Sequence, residues 1–197
     1  MKKILVLVLA AAAVMFAGAN ASAQVSIGAG PATRFYFEKG SDAVYAAGVQ
    51  VNFEDSQRLS DWFGYSAGID FGTYRKKDYQ LAGSNLTEMY VDLPIRAKFY
   101  IPISDEFELF VFGGAVPSVC LSSHLGIGSD KNDKISRFGE NSNYSRYDVM
   151  AGGGIGAEIA EHFKIALGYD HGLLDRDKSD AKTLHTAAAK FTVSFMF

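Results

Sequence analysis

The sequence has a single cysteine, no excess of basic charge and no long apolar stretch after Phe16. Each of these absences excludes a class of protein. Cys120 is the only cysteine, so an intramolecular disulfide and a cysteine-based zinc site are both excluded. The 197 residues carry a formal net charge of −3, which argues against a nucleic-acid partner. After Phe16 no apolar stretch reaches the length of about 20 residues that a membrane helix needs. If the chain after Phe16 crosses a membrane, it must therefore do so as a β-barrel.

The first 23 residues have the three parts of a secretory signal peptide. Lys2 and Lys3 form a basic start, residues 4–16 are apolar, and Ala21-Ser22-Ala23 offers a small-x-small cleavage site. The apolar run is too short for a membrane anchor, and the cleavage site lacks the cysteine of a lipoprotein. We expect a cleaved signal peptide over residues 1–23 and one mature domain over residues 24–197.

In the mature chain, apolar and polar residues alternate over eight segments. A period of two is typical of a strand with one apolar face. Each segment reaches the roughly 9 to 11 residues that a strand needs to cross an outer membrane. The sequence therefore predicts an all-β fold, an eight-stranded antiparallel up-and-down transmembrane β-barrel. The predicted strands are residues 25–37, 43–53, 62–74, 87–101, 107–121, 145–159, 163–174 and 184–197.

The fourth segment fixes its register most strongly. Met89, Val91, Leu93 and the following odd-numbered residues are apolar, whereas the even-numbered face is polar. A slip by one residue would turn Arg96 and Lys98 to the apolar face. If the apolar face meets lipid, a basic side chain near the middle of the bilayer destabilises the barrel by about 2–4 kcal/mol.

Alternation alone leaves open whether the apolar face points outward to lipid or inward, as in a soluble lipocalin-like ligand binder. The polar faces are rich in glycine, which makes room for large side chains inside a narrow barrel. Aromatic residues gather near segment ends, and short turns such as residues 54–61 alternate with longer polar loops. Both patterns are typical of membrane barrels. The fifth segment fits least well, because Phe110, Phe112 and Val116 are apolar on its polar face.

The polar faces also predict a network of charges inside the barrel. Buried charges are tolerated when they are paired, and eight strands enclose too little space for a channel. The predicted network consists of Arg34, Asp70, Glu88, Asp92, Arg96, Lys98, Arg146, Asp148, Glu158, Asp170 and Lys190, with Glu108 and Lys164 on the same faces.

No pattern in the sequence predicts a catalytic, cofactor or metal site. The glycine-rich run 152–156 lacks the helix that must follow a phosphate-binding loop. Ser122-Ser123-His124 and the pair His171 and His185 leave one alternative open, a lipid-modifying enzyme active at the barrel rim. Such an enzyme needs a serine, a base and an acid within hydrogen-bond reach.

The last segment ends on a phenylalanine and carries an apolar face of Phe191, Val193, Phe195 and Phe197. It resembles the C-terminal sorting signal of bacterial outer-membrane β-barrels. The resemblance implies recognition by the barrel-assembly machinery during biogenesis.

Three further stretches, residues 91–100, 110–115 and 152–158, resemble the PorT-like outer-membrane β-barrel proteins of Bacteroidetes. These belong to a wider group of small barrels of the OmpA and OmpX types. The resemblance implies a protein of the cell outer membrane, in contact with its lipid and lipopolysaccharide. It also implies a structural role or a surface- or secretion-linked interaction, since the name-giving member takes part in protein secretion. We expect a monomer whose long segment 122–144 contacts a surface or secretion partner.

Overall fold

The structure is a computed structural model that describes residues 23–79, 83–127, 134–138, 143–179 and 183–197. The predicted signal peptide lies outside these residues except for Ala23. Among the residues described, no helix is long and apolar enough to cross a membrane. The strands are β1 (Ala23–Glu38), β2 (Val44–Ser60), β3 (Phe63–Lys77), β4 (Ser84–Asp92), β5 (Ile95–Ser104), β6 (Phe107–Ile127), β7 (Lys134–Ser136), β8 (Tyr147–Ile159), β9 (Phe163–Gly172) and β10 (Leu184–Met196).

The strands close into an antiparallel ring of eight. β4 and β5 act as one barrel strand, interrupted at Leu93 and Pro94, and both pair with β3 and with β6. The ring closes where β1 pairs with β10, for example at Ile27 and Phe195. β7 is a short additional strand that pairs with residues 124–126, near the C-terminal end of β6. A closed ring satisfies its backbone hydrogen bonds without water, as a membrane-spanning sheet requires. The predicted eight-stranded barrel is confirmed.

Apolar side chains point outward and charged side chains point inward. Ile95 and Leu167 are 58% and 55% exposed, whereas Arg96 and Asp170 are 7% and 1% exposed. A soluble lipocalin-like barrel would show the opposite arrangement, with its apolar face enclosed. An apolar outer band around a polar interior is the arrangement of a barrel surrounded by lipid.

The turn predicted over residues 54–61 is wrong. β2 continues to Ser60, so the turn before β3 consists of Asp61 and Trp62. The prediction failed because polar residues occupy both faces of this stretch and conceal the alternation. Glu54 and Arg58 consequently continue the inward face of β2.

The rings of Phe110 and Phe112 fill the interior beside glycines of the neighbouring strands. A Cβ atom added to Gly156 would overlap the ring of Phe110, and one added to Gly154 would overlap the ring of Phe112. Glycine therefore leaves space where two aromatic rings enter a lumen only wide enough for side chains. This packing explains the apolar residues that break the alternation of β6.

We expect Gly156→Val to lower the free energy of unfolding by about 1–3 kcal/mol, the usual result of overpacking a filled interior. Urea titration of the protein refolded in lipid vesicles measures the loss, and adding Phe110→Leu should recover part of it. Gly113→Val is the matched control, because an added Cβ there meets only the Gly152 carbonyl oxygen, at 3.5 Å. Equal losses from both glycine substitutions would contradict the packing argument.

Candidate functional site

Four charged side chains form a buried cluster at the centre of the barrel. Asp92 lies 3.0 Å from the Arg34 guanidinium and 2.7 Å from Nζ of Lys190. Lys190 also contacts Asp70, at 2.8 Å. The hydroxyl of Ser118 donates a further hydrogen bond to Asp92. Two acids and two bases balance one another, which is the condition for burying ionised groups.

Further ion pairs occupy the interior toward the end where the turns are short. Arg96 and Asp170 are 2.6 Å apart. Glu54 lies between Lys98 and Lys164, with each ammonium at 2.6 Å from its carboxylate. The cavity among these side chains has a volume of about 60 Å³. That is room for roughly two water molecules rather than for a solute.

At the mouth beside the short turns, which membrane barrels of this kind place on the periplasmic side, the guanidinium of Arg58 bridges two carboxylates. It contacts Glu108 and lies 2.8 Å from Glu158. Arg58 also lies over the ring of Tyr100, 4.0 Å from its centroid. The ion-paired interior thus extends to the mouth itself.

The opposite half of the lumen holds one fully buried carboxylate, Glu88, surrounded by hydroxyl groups. Tyr36 donates a hydrogen bond to it, as do Tyr90 at 2.8 Å and Ser123 at 2.6 Å. Tyr144 donates a longer one, at 3.4 Å. We call these five residues the Glu88 cage. It fills the lumen below the longer connections β6–β8 and β9–β10, which lie on the extracellular side in barrels of this kind.

Two arginines from those connections cover the Glu88 cage. Arg176, between β9 and β10, is fully buried and donates hydrogen bonds of 2.8 Å to the Tyr90 hydroxyl and to the Ser145 carbonyl oxygen. Burial opposes its charge, but Tyr90, Tyr144 and Glu88 outweigh burial and raise the pKa of Arg176. Arg137, which follows β7, lies 4.0 Å from the ring centroid of Tyr144 and 3.5 Å from Glu88. Arg137 and Arg176 thereby hold the described parts of both connections against the barrel mouth, above the Glu88 cage.

Ten of the eleven residues predicted for the charge network are buried in the barrel. Asp148 belongs to them and accepts hydrogen bonds from the Thr186 hydroxyl and the Leu174 amide. Arg146 requires a correction, because it is exposed, donates to the Leu121 carbonyl oxygen and lies over the ring of Phe138. It precedes the first residue of β8, so the strand alternation does not apply to it. The ten buried residues are Arg34, Asp70, Glu88, Asp92, Arg96, Lys98, Asp148, Glu158, Asp170 and Lys190.

Sequence reasoning missed four charged residues of the interior, Glu54, Arg58, Arg137 and Arg176. The first two share the parity of Gln50 and Asn52, so extending the alternation beyond Phe53 could have found them. Arg137 and Arg176 lie outside the barrel strands, where no periodicity indicates which way a side chain points.

The histidines named for a rim-active enzyme are only partly brought together. The rings of His171 and His185 stack with centroids 6.3 Å apart. Ser123 donates its hydroxyl proton into the Glu88 cage, away from His124, which occupies the outward parity. Among the described residues, no histidine is hydrogen-bonded to a serine hydroxyl or a carboxylate. Nor does the described part of the chain contain three ligating side chains grouped to hold a metal ion.

The apolar face of the last strand lies on the outside of the barrel. Phe191, Val193, Phe195 and Phe197 are all exposed. The backbone amide of Phe197 donates to the Val25 carbonyl oxygen, at 2.9 Å, where β10 meets β1. Recognition of this strand by the assembly machinery stays a prediction. So does the partner role of segment 122–144, of which residues 128–133 and 139–142 lie outside the described residues.

A closed barrel with an apolar exterior and an ion-paired interior defines an outer-membrane β-barrel protein. The model of the family described as "outer membrane protein beta-barrel domain" matches residues 4–197, and the chain belongs to this family. Its location is the outer membrane. A comparison with curated proteins finds no match.

Several solved barrels share the fold. Ail, the attachment invasion locus protein of Yersinia pestis, has a TM-score of 0.55 and 16% identity, covering 89% of this chain and 99% of Ail. Its complex with the heparin analogue sucrose octasulfate has a TM-score of 0.54 and 15% identity, with the same coverage of 89% and 99%. Neisserial surface protein A has a TM-score of 0.51 and 13% identity, covering 90% of this chain and 98% of the other. At these identities the likeness concerns the fold alone.

Proposed function

We propose that this protein is a non-catalytic barrel of the cell surface whose extracellular connections bind a partner, in attachment or in a secretion-linked assembly. The observation that carries this proposal is the anchoring of two connections, through Arg137 and Arg176, on the buried Glu88 cage. The anchors hold the described residues around them, 134–138 and 173–179, in a defined position at the barrel mouth. This lowers the ordering cost of binding.

The filled lumen supports a surface role over a transport role. The Glu88 cage closes one half of the interior, and the ion pairs around Asp92 and Glu54 cross its middle. A solute path would require displacing several buried charge pairs, each costly to break.

A narrower proposal concerns the branch of the family. Residues 91–100, 110–115 and 152–158 support membership of the PorT-like barrels and hence a link to secretion. We further propose a monomer, surrounded by lipid and lipopolysaccharide and assembled by the barrel-assembly machinery through the strand that ends at Phe197.

Site-specific photo-cross-linking in cells of the source bacterium tests the surface role. A photoreactive residue at Ile135, 56% exposed on β7, should form a defined cross-linked product with a surface or secreted protein. The matched position is Ile103, 58% exposed at the periplasmic end, which should give none. Arg137→Ala should weaken the product at Ile135, because the connection that carries β7 loses its anchor on the Glu88 cage. A product formed only at Ile103 would contradict the proposal.

The second candidate is an enzyme acting on lipid A or phospholipid at the rim. The stacked pair His171 and His185 on the lipid side is the observation in its favour. Turnover of either lipid by the purified protein in detergent, abolished by His171→Ala or His124→Ala, would replace the non-catalytic proposal with this one.

A further inference from the structure

Two basic side chains lie on the outer face of the barrel, at the extracellular end of β3. Arg75 and Lys77 share the outward parity of Phe71 and Thr73, and both are exposed. Among the described residues of the eight barrel strands, every other lysine and arginine has the inward parity: Arg34, Arg58, Lys76, Arg96, Lys98, Lys164 and Lys190. The pair therefore departs from the inward placement of the other basic strand residues.

These two side chains lie just beyond the apolar band. On the same outer face, Phe71 and Met89 are exposed on β3 and β4, and Tyr45 is exposed on β2. The ammonium group of Lys76 reaches the ring of Tyr45, 4.8 Å from its centroid. Interfacial aromatic residues mark the level of the lipid headgroups. Arg75 and Lys77 follow these aromatic residues toward the strand end, where the headgroups of the outer leaflet are expected.

Neither Arg75 nor Lys77 has an anionic partner within the described residues. Their register neighbours are uncharged: Arg75 pairs with Ala47 and Thr87, and Lys77 pairs with Asn85. In the adjacent residue Asp78, one carboxylate oxygen already accepts the Gly83 amide, at 2.8 Å. The strand cations of the lumen, by contrast, each contact an acid, as Lys190 and Arg96 illustrate. Exposed cations that have no acidic partner in the described part of the chain fit an anionic lipid.

We propose that Arg75 and Lys77 bind a phosphate group of lipid A in the outer leaflet, an inference that rests on the lipopolysaccharide surroundings proposed above. The end of the barrel favours lipid A over a phospholipid, because the longer connections mark it as extracellular and lipopolysaccharide faces that side. Side chains two residues apart on one strand face lie roughly 6.6 Å from each other, so both can reach one phosphate. A guanidinium can also donate two parallel hydrogen bonds to it. Phe71, Tyr45 and Met89 supply apolar surface for the acyl chains below.

The double variant Arg75→Gln/Lys77→Gln tests this site in the purified, refolded protein. Its dissociation constant for lipid A in zwitterionic detergent micelles should rise about 30-fold, from the attraction that each basic residue contributes near an anionic surface. Lys39→Gln/Lys178→Gln is the matched control, since it removes the same charge from two exposed positions in other extracellular connections. The control should bind lipid A as the unaltered protein does.

Four further measurements separate a loss of phosphate binding from misfolding and from nonspecific attraction to anionic lipid. Heat-modifiable gel mobility should show that both double variants fold, and Arg75→Lys, which keeps the charge, should retain most of the affinity. Dephosphorylated lipid A should bind the unaltered protein as weakly as the double variant binds lipid A. Unchanged binding by Arg75→Gln/Lys77→Gln would overturn the proposal. Equal affinity of the unaltered protein for phosphatidylglycerol would overturn the assignment to lipid A.

Discussion

Replacing Asp92 by asparagine is expected to lower the free energy of unfolding by about 3–5 kcal/mol, as is usual when one partner of a buried ion pair is removed. Asp92 is the shared acid of Arg34 and Lys190. Lys190 would keep its contact with Asp70, but Arg34 would lose its carboxylate partner. The large effect follows because the Arg34 side chain is 0% exposed and cannot regain water.

Unfolding of the protein in lipid vesicles with guanidinium chloride measures this loss. The single tryptophan, Trp62, supplies the fluorescence signal. Asp105→Asn is the matched control, because Asp105 is exposed in the turn between β5 and β6. The control should change stability by less than about 0.5 kcal/mol. If Asp92→Asn cost no more than the control, the central cluster would be dispensable for folding.

Leu167→Arg is expected to destabilise the barrel by about 2–4 kcal/mol in a bilayer, the usual cost of arginine at the midplane of a barrel's lipid face. Leu167 lies near the middle of β9, paired with Ile155 on β8 and Phe191 on β10. All three are exposed apolar residues of the outer face. The arginine would have to enter the acyl layer or distort the lipid around it.

Leu173→Arg provides the depth control for this substitution. Leu173 is 57% exposed, close to the 55% of Leu167, but follows the last residue of β9 at the extracellular end. Near the interface the cost should fall to about 0–1 kcal/mol. Equal losses at the two positions would mean that the outer face does not meet a hydrocarbon layer. The same comparison in detergent should show a smaller difference, because micelles adapt to a charge.

The strand ends and the connections are where sequence reasoning was weakest. β6 extends to Ile127, beyond its predicted end at residue 121, because its upper part pairs with β4 and β7 above the membrane band. β2 runs to Ser60 through residues that are polar on both faces. Outside the apolar band both faces of a strand meet water or headgroups. Apolar and polar residues therefore no longer alternate there, although the backbone hydrogen bonds between the strands continue.

The sequence by itself determined the barrel and its orientation. A period of two in residues such as Ile95, Arg96, Ala97 and Lys98 assigns each side chain to lipid or lumen, because a strand offers only two faces. The tertiary structure decided which charges meet. Asp92 binds Arg34 and Lys190, which are 58 and 98 positions away in the chain. Such contacts depend on the stagger of eight closed strands, and the insertion of Arg137 and Arg176 depends on connections that have no period at all.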